Sequence, residues 1–225
     1  MARIAICTPI TGSTLSEFER HLMLTQEMSD FVELRIDSIP DLTQAQLTHL
    51  RSLTHQRAIC TCRVVDQGGM GGVVEERRIA LIRHALTLGF AYVDIEYETC
   101  TTHQFLIPPA TKLVISAHIF THTPPEVELQ DLIGRIDNFD PAVIKIATMV
   151  KGEADLQLIY TLLKKHRQTI SHPQLLLIGM GEQGRETRIQ GPLLGCPWTY
   201  ASTPWGSTAP GQLSLAEMQQ LYTQM

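Results

Sequence analysis

The sequence predicts an α/β protein closed into a single eightfold barrel, (β/α)8, of the TIM type. Three observations predict it. Short β-rich runs alternate with helical patterns along the chain, and eight such runs are present. At 225 residues, with no low-complexity stretch, charge block or dividing linker, the chain has the size of one barrel. Polar residues also recur at period two toward the C-terminal ends of the runs, where a strand of an α/β protein is expected to be apolar on both faces. Eight alternations in one undivided chain favour a closed barrel over an open doubly wound sheet. Residues 1–225 are therefore read as one barrel domain.

The elements follow in order. Residues 3–8 read as a first strand and not as a signal peptide. Behind them Thr14-x-x-Glu17 has capping-box form, and Leu15, Phe18 and Leu22 keep helical spacing. Residues 31–36 form the second strand, and Asp41-x-x-Gln44 is placed as the cap of the helix after it. Residues 58–63, 92–96 and 113–118 are the third, fourth and fifth strands. Thr123-Pro124-Pro125-Glu126 then sets proline at a helix start. Residues 143–148 are the sixth strand, with Leu156, Ile159 and Leu163 spaced along the helix behind it. Residues 175–180 are the seventh, and 198–202 the eighth and weakest, before Ser214-x-x-Glu217 caps the last helix. The helices after the fourth and seventh strands have the poorest patterns.

The alternation inside the strands points to chemistry. Glu33, Arg35 and Asp37, then Thr61 and Arg63, Asp94 and Glu96, Ser116 and His118, and Lys145 fall on one face of their strands. Their neighbours Leu34, Ile36, Cys62, Val93, Ile95, Ile144 and Ile146 fall on the other and meet the helices. Burying that many charges as filling would cost far too much. The C-terminal face of an α/β barrel is where active sites sit, so the pattern reads as an enzyme.

Composition narrows the class. Hydrophobic residues make up 44% and charged residues 18%, ordinary for a globular chain with a large core. A net charge of -5 and a pI near 6.0 give no reason to expect a nucleic acid or other polyanion. A small charged ligand must then be held by local arginines. No apolar run approaches the roughly 18 residues of a membrane span. Cys7, Cys60, Cys62, Cys100 and Cys196 show no paired spacing and read as reduced thiols, which places the chain in the cytoplasm.

Of five lysines, Lys112, Lys151, Lys164 and Lys165 read as solvated, whereas Lys145 stands among Val143, Ile144, Ile146 and Ala147. A desolvated amine is a nucleophile for a ketone, and the imine it forms stabilises a carbanion at the adjacent carbon. The alternative is a structural lysine paired with Glu33, Asp94 or Glu96. His118, one strand earlier, is placed to move protons near neutral pH, or else is a satisfied core histidine. His118 and His122 lie four apart, but prolines follow and no third ligand is evident, so no metal is expected. Gly179-Met180-Gly181-Glu182-Gln183-Gly184 matches a dinucleotide fingerprint, yet no acidic residue follows at about 20 residues to take a ribose hydroxyl. It reads instead as a tight turn that brings Arg185 and Arg188 over the barrel mouth.

Taken together, Glu33-Leu34-Arg35-Ile36-Asp37, Thr61-Cys62-Arg63 with Gly68-Gly69, Asp94-Ile95-Glu96, Ser116-Ala117-His118, Val143-Ile144-Lys145-Ile146-Ala147, Met180-Gly181 through Arg188, and Ala209-Pro210-Gly211-Gln212 resemble type I 3-dehydroquinate dehydratase across nearly the whole chain. The resemblance implies a cofactor-free dehydration of 3-dehydroquinate to 3-dehydroshikimate in the shikimate pathway of aromatic amino acid biosynthesis. It implies an imine on Lys145 and His118 as base and then acid. It implies Arg188 on the substrate carboxylate, and Glu33, Arg35, Arg63 and Gln212 on its hydroxyls. Met180 would pack on the ring, and residues 208–212, with Thr208 and Ala209, would close over it. It further implies a homodimer and, in some lineages, fusion to shikimate dehydrogenase.

Two positions depart from the pattern of that family. Gln67 stands where a glutamate is usual, four residues after Arg63, which makes it a tuning position for His118. Thr208 stands where serine is usual and keeps the hydroxyl. The competing readings are another lysine-imine barrel of the class I aldolase kind, a non-catalytic metabolite-binding barrel, and a nicotinamide-dependent oxidoreductase resting on the glycine pattern alone.

Overall fold

The computed structural model describes residues 4–108, 111–169 and 172–225, and in them the eight strands and eight helices alternate as a (β/α)8 barrel. The strands are β1 (Ile6–Ile10), β2 (Phe31–Arg35), β3 (Arg57–Thr61), β4 (Tyr92–Glu96), β5 (Leu113–Ile119), β6 (Val143–Met149), β7 (Gln174–Met180) and β8 (Thr199–Tyr200). All pair in parallel, in the spatial order β7-β6-β5-β4-β3-β2-β1-β8. Met180 of β7 and Tyr200 of β8, at the two ends of this ladder, line the same cavity.

The helices are α1 (Leu15–Gln26), α2 (Gln44–Leu53), α3 (Glu75–Thr87), α4 (Tyr97–Thr102), α5 (Glu126–Asp137), α6 (Glu153–Thr169), α7 (Arg185–Leu194) and α8 (Leu215–Thr223). Phe18 and Leu22 of α1, and Ile159 and Leu163 of α6, are buried against the strands, which is the helical spacing at work. The two weakest patterns become the two irregular helices. α4 has only six residues, and α7 carries Pro192 inside it.

Several boundaries move. The first strand runs to Ile10 because the turn waits for Gly12, where a Cβ would lie 2.5 Å from the Phe18 backbone nitrogen. Arg3, where the sequence sets its start, lies outside the described residues. The expected box Asp41-x-x-Gln44 does not form: Leu42 turns inward and is buried, and Asp41 pairs with Arg77 at 2.8 Å. The helix begins two residues later, with Thr43 and Gln46 capping each other. At α1 only half a box forms, since Thr14 accepts from the Glu17 amide while the Glu17 carboxylate takes the Ser13 amide at 2.7 Å. Pro125 is the N-cap of α5 and not its first residue. Ser214 and Glu217 make the full reciprocal box of α8. The third strand stops at Thr61, so Arg63 sits just past its end, and the eighth shrinks to two residues.

Candidate active site

The residues singled out from the sequence converge. Lys145, His118, Glu33, Arg35, Arg63, Met180, Arg188, Thr208, Ala209, Gln212 and Gln67 all line one cavity at the C-terminal end of the strands.

Its floor is a charge network built from β2 to β6. Arg63 donates to Asp94 at 2.8 Å, to Glu96 at 3.0 Å and to the Ser116 hydroxyl at 2.6 Å. Ser116 in turn donates to the other Asp94 oxygen at 2.6 Å. Behind the strands, Arg78 of α3 reaches Glu96 at 2.8 Å. Arg35 grips Asp37 with two parallel bonds of 3.0 and 2.9 Å, and Asp37 also accepts the backbone amides of Arg63 and Met70. Burial alone would raise the Asp94 pKa. Arg63 and Lys145, with the hydrogen bonds from Ser116 and Arg63, overcome it and hold the carboxyl well below the usual carboxylate range.

Lys145 is buried in the middle of β6. Its Nζ donates to Asp94 at 2.9 Å, lies 3.8 Å from Glu33 and sits 4.8 Å over the ring of Tyr200. The partners proposed for a merely structural lysine are thus present, Asp94 and Glu33 but not Glu96. Lys145 nonetheless lines the cavity.

His118 is half-buried, with Phe120 stacked at 6.4 Å and 19°. The Oε1 of Gln67 accepts the backbone amide of His118 at 3.1 Å and lies 3.0 Å from its Nδ1. Burial pushes the imidazole well below its ordinary value, Arg63 and Lys145 push the same way, and Asp94 opposes them. The neutral ring is the resting form, further from protonation than the sequence alone suggests.

Arg188 differs from every other charge in the site. Its side chain is buried, yet among the described residues its one bond is to the Pro210 carbonyl at 3.2 Å, and its Nε has no partner there. Burial lowers its pKa to about 10. Among the described residues it is the buried cation with no carboxylate beside it, while Arg35, Arg63, Arg78 and Lys145 each have one. Arg185, its candidate companion, lies outside the cavity and pairs with Glu182 and Glu217 at 3.4 and 3.5 Å.

The glycine-rich turn is explained by packing. Gly181 has φ +79° and Gly211 φ +75°, and a Cβ on Gly211 would strike the Gly181 carbonyl oxygen. The turn after β7 and the loop carrying Thr208, Ala209 and Gln212 therefore touch backbone to backbone. Gln212 ties that loop internally, its Oε1 accepting the Thr208 amide and the Ser207 hydroxyl at 2.9 Å each.

Gly68, Phe120, Ala147, Ile178 and Tyr200 complete the lining and were not foreseen. Tyr200 is buried, and among the described residues its hydroxyl makes no hydrogen bond. His122 is exposed and bonded to the neighbouring Thr121 hydroxyl at 2.8 Å. Among the described residues no group of three or more His, Cys, Asp and Glu side chains gathers as a metal site, and no helix is long and apolar enough to cross a membrane.

Comparisons with known proteins converge. The family model of type I 3-dehydroquinase matches residues 6–225. A 3-dehydroquinate dehydratase of Coxiella burnetii is 34% identical over 217 residues, 96% of this chain and 91% of that protein. The crystal structure of 3-dehydroquinate dehydratase from Geobacillus kaustophilus superposes with a TM-score of 0.83 at 22% identity, covering 99% of this chain and 91% of that one. The dehydroquinate dehydratase and shikimate dehydrogenase of S. pombe superposes with a TM-score of 0.78 at 22% identity over 97% of this chain, which corresponds to 44% of that longer one.

Proposed function

The chain belongs to the type I 3-dehydroquinase family, and on that premise we propose that it dehydrates 3-dehydroquinate to 3-dehydroshikimate through an imine on Lys145, with His118 carrying the proton. Membership makes it a hydro-lyase of the shikimate route and sets aside the aldolase, oxidoreductase and non-catalytic readings. The observation that carries the residue roles is the pairing, across one cavity, of the acid-flanked Lys145 with the unpaired Arg188.

The chemistry follows the charges. The Lys145 ammonium gives up one proton and the freed amine adds to the substrate ketone; that proton goes to the carbinolamine hydroxyl, which leaves as water, so a protonated imine remains. Its positive charge then stands where the ammonium stood, beside Asp94 and Glu33, so the network is already arranged for it. The imine draws electrons as His118 removes the proton from the adjacent carbon. The same histidine returns that proton to the departing hydroxyl, and hydrolysis of the imine frees the product and the lysine. A carboxylate on the substrate would answer the exposed cost of Arg188 with two parallel hydrogen bonds. Glu33, Arg35, Arg63 and Gln212 take the hydroxyls, Met180 packs on the ring, and Thr208 and Ala209 cover it. The reading treats residues 1–225 as one catalytic barrel needing no cofactor, working in the cytoplasm as a homodimer. Five free cysteines suit a reducing compartment.

Borohydride added with 3-dehydroquinate tests the imine directly. The expected result is one ligand-sized mass on Lys145, together with absorbance of the conjugated enone when no reductant is present. An adduct on another lysine, or an active enzyme that traps nothing, would discard the mechanism.

A further inference from the structure

The bond from Gln67 to His118 has a second half. The atom of Gln67 facing the backbone amide of His118 must be an oxygen, because that amide only donates. The same oxygen faces Nδ1 at 3.0 Å and has no hydrogen to give, so Nδ1 carries the proton and Nε2 is the bare nitrogen. The other end of the amide, Nε2 of Gln67, donates to the Glu98 carboxylate at 2.6 Å. Gln67 sits on the short loop after β3, half exposed, with Gly68 following it at φ +89°. A long side chain on such a loop is free to leave for water unless both ends are held. Glu98, near the start of α4, supplies the second hold by a charge-assisted bond.

We propose that Glu98 is a positioning residue of the reaction: it clamps the Gln67 amide in the one orientation that keeps the His118 proton on Nδ1 and leaves Nε2 free to take the substrate proton. The proposal rests on the reading of His118 as the proton carrier. It differs from a purely electrostatic effect, because the groups that act on the imidazole directly are Arg35 of β2, Arg63 after β3, Asp94 of β4 and Lys145 of β6. Glu98 acts through the amide.

The test is a swap in the full chain. Glu98→Ala should lower kcat about five-fold with KM within about two-fold of the parent, since a positioning group affects the transition state and not ground-state binding. The nitrogen NMR signals of His118 should change from one tautomer to a mixture. Glu98→Gln keeps an acceptor and should recover most of kcat. Gln67→Glu alone sets two carboxylates against each other and should be impaired, while Gln67→Glu with Glu98→Gln restores one amide against one carboxylate and should outperform it. The proposal is overturned if Glu98→Ala leaves the nitrogen signals and kcat of the parent, or if the two substitutions of the swap act independently. Full turnover in His118→Ala would instead remove the underlying reading, and the nitrogen signals distinguish the two failures.

Discussion

The two sides of the barrel mouth are built on opposite principles. On the β3–β4 side every buried charge is answered: Arg63 by Asp94 and Glu96, and Glu96 again by Arg78. On the β7–β8 side Arg188 is buried, among the described residues, with no carboxylate and one neutral carbonyl beside it. A saturated network holds its shape without a ligand, whereas an unpaired buried cation costs stability until an anion arrives. Under the proposed function, the first half is organised before substrate arrives and the second is completed by the substrate carboxylate.

The largest effect should come from exchanging the two kinds of damage. Arg78→Met strips a partner from the buried Glu96 and should lower unfolding free energy in urea by about 3 kcal/mol. The figure sits at the low end because Arg63 still answers Glu96. The bond of Arg78 to half-exposed Glu75 is screened and adds little. Arg188→Met removes a charge that nothing answers. It should leave stability unchanged or slightly higher while kcat/KM for 3-dehydroquinate falls by roughly ten- to a hundred-fold, the worth of a charge-assisted pair. Equal loss of stability in the two variants would erase the distinction.

His118 lies between the halves, and its removal should separate binding from elimination. In His118→Ala turnover should fall by at least the ~100-fold typical of general acid–base catalysis, while the borohydride adduct on Lys145 still forms. Near-parental turnover would return the histidine to the core and require another base.

The smallest effect is in the pH profile. Because burial and the cations of the saturated side depress the His118 pKa, its basic form persists below the ordinary 6.5, and the acid limb of kcat/KM should lie below that pH. The sign for stability is the same. Between 6.5 and the lower folded value the unfolded chain binds a proton that the folded chain resists, so stability falls as pH falls through that window. A limb at or above 6.5 would mean that the cations do not govern the histidine.

Much of this was legible in the sequence, and the limits are physical. Period-two alternation set Glu33, Arg35, Asp94, Ser116 and Lys145 facing inward, because parity along a strand is a local property. Which carboxylate would touch Lys145 was not legible. Asp94 was seen as interior but left out of the site, since the choice among Glu33, Asp94 and Glu96 depends on strand register. Tyr200 escaped because its strand is two residues long and carries almost no alternation. Gln67 stood out through the resemblance to the family pattern, yet Glu98 is 31 residues further on and meets it only through the fold. The start of α2 was misplaced because the cap rule cannot see that Leu42 must first be buried. Helical pattern alone did not separate Arg185 from Arg188, and only the resemblance chose Arg188; three positions of separation decide between solvent and cavity.

The backbone contact between Gly181 and Gly211 has a consequence for how long a ligand stays. The loop bearing Thr208 and Gln212 rests against the turn after β7 because Gly211 has no side chain at the point of touch. A single methyl group at position 211 would act as a doorstop, and the loop would stand ajar. Small molecules would then escape before being committed to reaction, although no group that touches them had changed. Position 211 is in that sense a timer, set by the absence of one carbon atom.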